Sequence, residues 1–265
     1  MLEYRAEGLC RNANHLSREE LSRCIAGGEV LQSTALAYDT DRRLRFELGG
    51  MRGIMPFADC VDAAPGETVK DIAVLTRVGR PTCFVILGTE SDENGEEYYL
   101  LSRAEAQRRC RAQYLDTLEA GSVIPCTVTH IENFGAFCDI GCGASGLLGL
   151  RNLCVSRLTH PGDLLRVGQR LPVLIQSLDP ARRRVALTLQ ELLGTWEENA
   201  ARFRPGQSVP GVVCGKTDYG VFIALTPNLC GLAERDDTLE PGQPVCVYIK
   251  AIHPETLKLK LTVLH

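Results

Sequence analysis

The sequence predicts an all-β chain with helical linkers, in which three small five-stranded barrels follow one another and the first is degenerate. Three observations predict this fold: a stretch that repeats itself, β-rich segments punctuated by glycine, and helix-capping signals that fall between the repeats. Residues 121–149 lie over 206–234 at a single offset of 85, so that Gly121 meets Gly206, Phe134-Gly135-Ala136-Phe137 meets Tyr219-Gly220-Val221-Phe222, and Gly146-Leu147 meets Gly231-Leu232. An offset of 74 then takes over, pairing Val167-Gly168-Gln169 with Pro241-Gly242-Gln243 and Val185-Ala186-Leu187-Thr188-Leu189 with Leu259-Lys260-Leu261-Thr262-Val263. Two gap-free registers parted by one deletion are the mark of a duplicated unit. Runs such as Val173-Leu174-Ile175 and Val245-Cys246-Val247-Tyr248-Ile249 are strand-like. Five such strands in ~70 residues suit a barrel that closes on itself and leaves no edge.

Each segment follows in order. Residues 1–27 are an N-terminal helical segment, in which Ser17-Arg18-Glu19-Glu20 opens a helix that ends near Gly27. Residues 28–103 are a worn copy at an offset of 93, with Gly28 and Val30 matching Gly121 and Val123, and Gly53-Ile54 matching Gly146-Leu147. Its aromatic tetrad is replaced by Asp41-Arg42-Arg43-Leu44. Residues 104–118 are a helical linker capped by Ser102-Arg103-Ala104-Glu105. Residues 119–192 are the complete copy. Residues 193–204 are a second linker, part of a helical run from Leu192 to Phe203 that carries the single tryptophan, Trp196. Residues 205–265 are the shortened copy.

Composition narrows the function. The net charge of −4 argues against a nonspecific duplex binder, which is usually basic. The charge is uneven: 8 Lys/Arg against 13 Asp/Glu in 28–103, but 7 against 6 in 119–192, so the middle copy is the one least hostile to phosphate. No apolar run reaches the ~18 residues of a membrane span, and Met1-Leu2-Glu3-Tyr4-Arg5 lacks a signal-peptide core. A cytoplasmic protein with no membrane partner is expected. The 12 cysteines are then expected to be reduced. Cys138, Cys142 and Cys154 do not complete a four-ligand metal set, and Cys126, Cys138, Cys214 and Cys246 sit where small apolar strand residues belong. No metal and no cofactor is expected.

Gly121-x-Val123, Val128, Ile131, Phe134-Gly135-Ala136-Phe137, Gly146-Leu147-Leu148 and Val167-Gly168-Gln169 together resemble the S1 RNA-binding domain. The resemblance covers 119–192 and 205–264 and, in worn form, 28–103. The tandem order is similar to that of the bacterial ribosomal protein S1 family. It implies OB-fold (S1-type) barrels that bind single-stranded RNA, with the N-terminal repeats docking on the ribosome or another protein. It also leaves no room for a separate catalytic domain.

Phe134 and Phe137 are three apart with Gly135 between them, and Tyr219 and Phe222 repeat the pattern. Strand positions three apart face opposite sides unless a bend intervenes. The rings are therefore either core or base-stacking platforms, and their repetition within the resemblance favours stacking, Phe134 and Tyr219 above all. His130 precedes the tetrad and is expected to face nucleic acid or solvent. Arg182-Arg183-Arg184 lies in the hairpin before the last strand of the middle copy. There the resemblance implies a phosphate-contacting arginine, Arg183 or Arg184, with Asp179 just upstream; the alternative is a solvated hairpin. Leu257 and Lys258 are the corresponding positions of the last copy, with His253 in place of Asp179. Two departures stand out. A histidine common in the family is Gly149 in the middle copy and Glu234 in the last, and the last copy is 11 residues shorter. The last copy's RNA affinity is therefore in question, and the acidic first copy reads as a docking or spacing module.

The five histidines, His15, His130, His160, His253 and His265, have no recurring carboxylate or cysteine partner, and neither a P-loop nor a GxSxG elbow occurs. The expectation is a non-enzymatic single-stranded RNA-binding protein of translation or RNA metabolism. The competing expectation is a protein-interaction scaffold of the same barrels, associated with the ribosome or an RNA-processing complex.

Overall fold

The computed structural model describes residues 4–264 apart from 65, 157 and 159; His265 and the first three residues of the chain lie outside this range. The chain forms two compact units. One comprises residues up to 119 with 139–145 and 179–184; the other comprises 120–138, 146–178 and 185–265.

The first unit is built on a seven-stranded sheet. Its strands are β1 (Arg11–Asn12), β2 (Leu31–Thr34), β3 (Ala37–Tyr38), β4 (Arg43–Leu48), β5 (Met51–Pro56), β6 (Pro81–Ser91) and β7 (Glu97–Ser102), in the order β1-β2-β6-β7-β5-β4-β3. Strict alternation along β4 turns Leu44, Phe46 and Leu48 inward. These side chains pack with Leu21, Leu31, Met55, Phe84 and Leu101, and the rings of Phe46 and Phe84 lie 5.6 Å apart. Five of the strands, β2, β4, β5, β6 and β7, keep the connectivity of the other two barrels. The two edges that would join to close the circle are each taken by a two-residue strand. β1 pairs parallel with β2, and β3 pairs antiparallel with β4. The cause of the second pairing is the Asp39–Arg43 turn. Asp39 accepts hydrogen bonds from the backbone of Asp41 (3.1 Å) and Arg43 (2.9 Å), and Arg42 adopts a left-handed φ of 60°. A tight hairpin thus replaces the aromatic tetrad.

Helix α1 (Arg18–Gly27) begins at a reciprocal cap between Ser17 and Glu20 and ends at left-handed Gly28. A short helix, α2 (Asp71–Leu75), precedes β6. Helix α3 (Arg103–Gln113) starts where Ser102 accepts from the Glu105 amide at 3.0 Å, and a 3-10 turn, Leu115–Thr117, follows it.

The remaining strands close two barrels. The first comprises β8 (Val123–Glu132), β9 (Gly135–Asp139), β10 (Ser145–Gly149), β11 (Arg170–Asp179) and β12 (Arg184–Thr188). Its interior is Ile124, Cys126, Val128, Ala136, Cys138, Leu148, Val173, Ile175 and Leu187. The second comprises β13 (Ser208–Thr217), β14 (Gly220–Thr226), β15 (Leu229–Ala233), β16 (Pro244–His253) and β17 (Lys258–Leu264), around Val213, Val221, Ile223, Val247, Ile249 and Leu261. Helix α4 (Trp196–Ala200) lies between them in sequence. It is shorter than the Leu192–Phe203 run expected, because the Thr195–Glu198 capping box starts it late. Trp196 is buried against Leu229 and Leu259. Of the cysteines expected as strand filler, Cys126, Cys138 and Cys214 are buried. Cys246 is exposed, because Val247 and Ile249 take the inward register of β16.

Candidate nucleic-acid interface

The aromatic tetrad of the middle barrel straddles the start of β9. Phe134 precedes the strand and is 58% exposed; Phe137, inside it, is half-buried and points outward between buried Ala136 and Cys138. Gly135 makes this placement possible. A Cβ there would stand 2.6 Å from the Leu148 carbonyl oxygen, so only glycine lets the chain pass so close to β10. The third barrel repeats the contact: a Cβ on Gly220 would stand 2.3 Å from the Ala233 oxygen.

The rings form a connected surface. Phe134 meets Phe137 edge to face at 6.1 Å, and His130 lies nearly parallel to Phe137 at 6.4 Å. His130 Nε2 is 2.7 Å from Glu132 Oε1. The Thr129 hydroxyl donates to the Phe137 carbonyl at 3.1 Å and ties the two strands together. An exposed ring and a half-buried, outward-facing one beside an imidazole can stack unpaired bases. Glu132 went unnoticed in the sequence, although strand residues two apart share a face and His130 fixes which face that is.

In the third barrel Tyr219 is 65% exposed and meets Phe222 edge to face at 6.2 Å. The position of His130 is taken by Gly215, where β13 bulges and the Asp163 carboxylate closes in: a Cβ on Gly215 would lie 3.1 Å from Asp163 Oδ1. Three cations on this barrel are already paired, Lys250 with Glu234 (2.8 Å), Lys216 with Glu240 (3.0 Å) and Arg235 with Asp237 (2.9 Å). The Lys250 hydrogen bond holds the Glu234 carboxyl below its usual range. This surface offers rings with little net positive charge.

The arginine turn belongs to the first compact unit, whereas the rings belong to the second. Asp179 accepts from the Arg182 amide at 3.1 Å. Arg183 turns the corner with a left-handed φ of 52°, and Leu257, its counterpart in the last barrel, has the same φ of 52°. The Arg183 guanidinium is taken up by Asp62: Nη1 forms an ion pair with its carboxylate at 2.8 Å, donates to its carbonyl at 2.8 Å, and donates to the Ala63 carbonyl at 2.9 Å. Of the two arginines expected near phosphate, this leaves Arg184 exposed on the surface. Lys258 is exposed and pairs across the β16–β17 hairpin with His253.

Residues 117–190 match the S1 RNA binding domain family. The small ribosomal subunit protein bS1 homolog of Bacillus subtilis (strain 168) is 28% identical over 228 residues, covering 80% of this chain and 57% of that protein. The small ribosomal subunit protein bS1 of Rickettsia conorii is 28% identical over 233 residues, covering 82% of this chain and 39% of that protein. That of Rhizobium meliloti (strain 1021) is 33% identical over 129 residues, covering 48% and 22%. The chain thus spans little more than half, or less, of the length of these relatives.

Proposed function

We propose that this chain, which carries an S1 RNA-binding domain across residues 117–190 and resembles small ribosomal subunit protein bS1, is a non-enzymatic single-stranded RNA-binding protein of the cytoplasm that acts in translation or RNA metabolism. The observation that carries the reading is the exposed ring surface of the middle barrel, Phe134 and Phe137 flanked by His130. Bases must be unstacked to lie on it, which selects single strands over duplex. Arg184 is the phosphate contact in this reading, with Asp179 orienting the turn. The Tyr219–Phe222 pair and Lys258 supply a weaker second surface, because three other cations of the third barrel are paired with carboxylates. The first segment, with its acidic balance, serves to dock on the ribosome or another protein.

The test is a titration of the full chain with unstructured RNA and with a duplex of equal length. Single-strand affinity should be the greater. Phe134→Ala should cost about 1–3 kcal/mol of binding without lowering the melting temperature, and Tyr219→Ala should cost less. Equal affinity for the duplex, or loss of stability rather than binding in Phe134→Ala, would overturn the assignment.

A further inference from the structure

All 12 cysteines are free thiols, and seven of them gather into two groups. In the first unit the Cys142 thiol is within hydrogen-bonding reach of Cys10, Cys83 and Cys110. In the second, Cys230 is within reach of Cys154 and Cys214. Each group has one thiol at its centre. A tetrahedral metal site instead needs its thiolates around a vacancy, and among the described residues no such group is arranged to hold a metal ion. What a central thiol with thiol neighbours can do is make and exchange sulfur–sulfur bonds.

The first group has an entrance. Cys10 is partly exposed, whereas Cys83, Cys110 and Cys142 are buried. Cys10 and Cys142 converge on one carbonyl: Cys10 Sγ donates to the Arg5 oxygen at 3.6 Å, and the Cys142 amide donates to it at 2.8 Å. The turn that carries Cys142 is tight, with a left-handed φ of 50° at Cys142 itself. Gly141 beside it leaves space for the group, since a Cβ there would stand 2.9 Å from Cys110 Sγ. A hydrogen bond from Cys142 holds the Cys10 thiol below its ordinary range, while burial pushes Cys83 up to about 11. A partly exposed thiol with a lowered pKa beside a second thiol is the arrangement of a peroxide-reactive cysteine and its resolving partner.

We propose that Cys10 reacts with hydroperoxides and that Cys142 resolves the product, giving a disulfide between the N-terminal segment and the 139–145 turn. The Cys10 thiolate attacks one peroxide oxygen; the O–O bond breaks, and the departing hydroxide (or alkoxide) takes up a proton. Cys10 is now a sulfenic acid. The Cys142 sulfur attacks the Cys10 sulfur, the S–O bond breaks, and the hydroxyl leaves with the Cys142 proton as water. Two thiols and one hydrogen peroxide become one disulfide and two waters, the sulfurs being oxidised and the peroxide reduced. The proposal is independent of RNA binding.

The experiment treats the reduced full-length chain with equimolar hydrogen peroxide, blocks remaining thiols by alkylation, and reads intact mass and digested peptides. The expected product has lost two hydrogens, yields a Cys10–Cys142 linked peptide, reverts with dithiothreitol, and melts several degrees higher because the bond closes a long loop. Cys10→Ser should melt like the reduced wild type and form no linked peptide. Cys246→Ser, which removes the exposed cysteine outside both groups, should cross-link like the wild type. Oxygen adducts on Cys10 without a linked peptide, a link from Cys10 to a different cysteine, or unchanged cross-linking in Cys10→Ser would each overturn the proposal.

Discussion

Arg183 and Arg184 are adjacent in sequence and opposite in circumstance. Arg183 is held by the Asp62 carboxylate, itself 7% exposed, while Arg184 is open to solvent. Arg183→Ala should therefore lower stability, by about 1–3 kcal/mol for the buried acceptors it strands, and leave the salt dependence of RNA binding nearly unchanged. Arg184→Ala should leave the melting temperature alone, weaken binding, and flatten the slope of log affinity against log salt by roughly one phosphate's share, about 0.7 for a single strand. Parallel melts and titrations at two salt concentrations separate the two. The rings were legible in the sequence because duplication singled them out and Gly135 and Gly220 recur between them. The fate of Arg183 was not, because its partner is 121 residues away and nothing local distinguishes the two arginines.

Among the elements, the turn after β9 depends on Asp139. One carboxylate oxygen accepts from the amides of Gly141 (2.9 Å) and Gly143 (3.0 Å), and the other accepts from the Glu7 amide at 2.7 Å. Burial and then the neighbouring Glu7 charge push its pKa up to about 6, against the pull of these hydrogen bonds. Glu7 is also desolvated, yet Arg103 at 2.6 Å and Arg77 hold it below the usual range. A folded pKa above the unfolded one means that the native state binds the proton more tightly. The Asp139 contribution is therefore fully present below about pH 4 and lost as pH rises through about 6, on the order of 3 kcal/mol across the window. Glu7 acts in the opposite sense and at lower pH. Melting temperatures taken in steps from pH 4.5 to 6.5 should fall, and a rise over that range would show that Asp139 ionises normally. Helix starts were legible where a serine stood three residues before a glutamate, at Ser17 and Ser102, but not at Thr195, whose helix was expected to begin at Leu192. The turn at Asp139 was not, since its meaning comes from Glu7.

For the whole molecule, the repeat offsets foretold the two closed barrels and their strands, because a barrel strand writes its inward face into every second residue. They did not foretell the seven-stranded sheet, since β1 and β3 are two residues long and too short to carry a period. A chain of net charge −4 whose lysines and arginines are mostly paired with carboxylates should release few counterions on binding. With two or three phosphates neutralised, the single-strand salt slope should be roughly −1.5 to −2, and a slope several times steeper would contradict so small a basic surface. The membership of the first compact unit also bears on time. The Glu7 amide waits for Asp139, and the Asp62 carbonyl for Arg183, each partner lying beyond residue 119. A chain emerging from its N-terminus at about 5–20 residues per second holds those buried groups unsatisfied for several seconds. During that interval the first sheet is provisional, and synthesis speed through residues 120–184 sets how long a half-finished fold is open to proteases and chaperones.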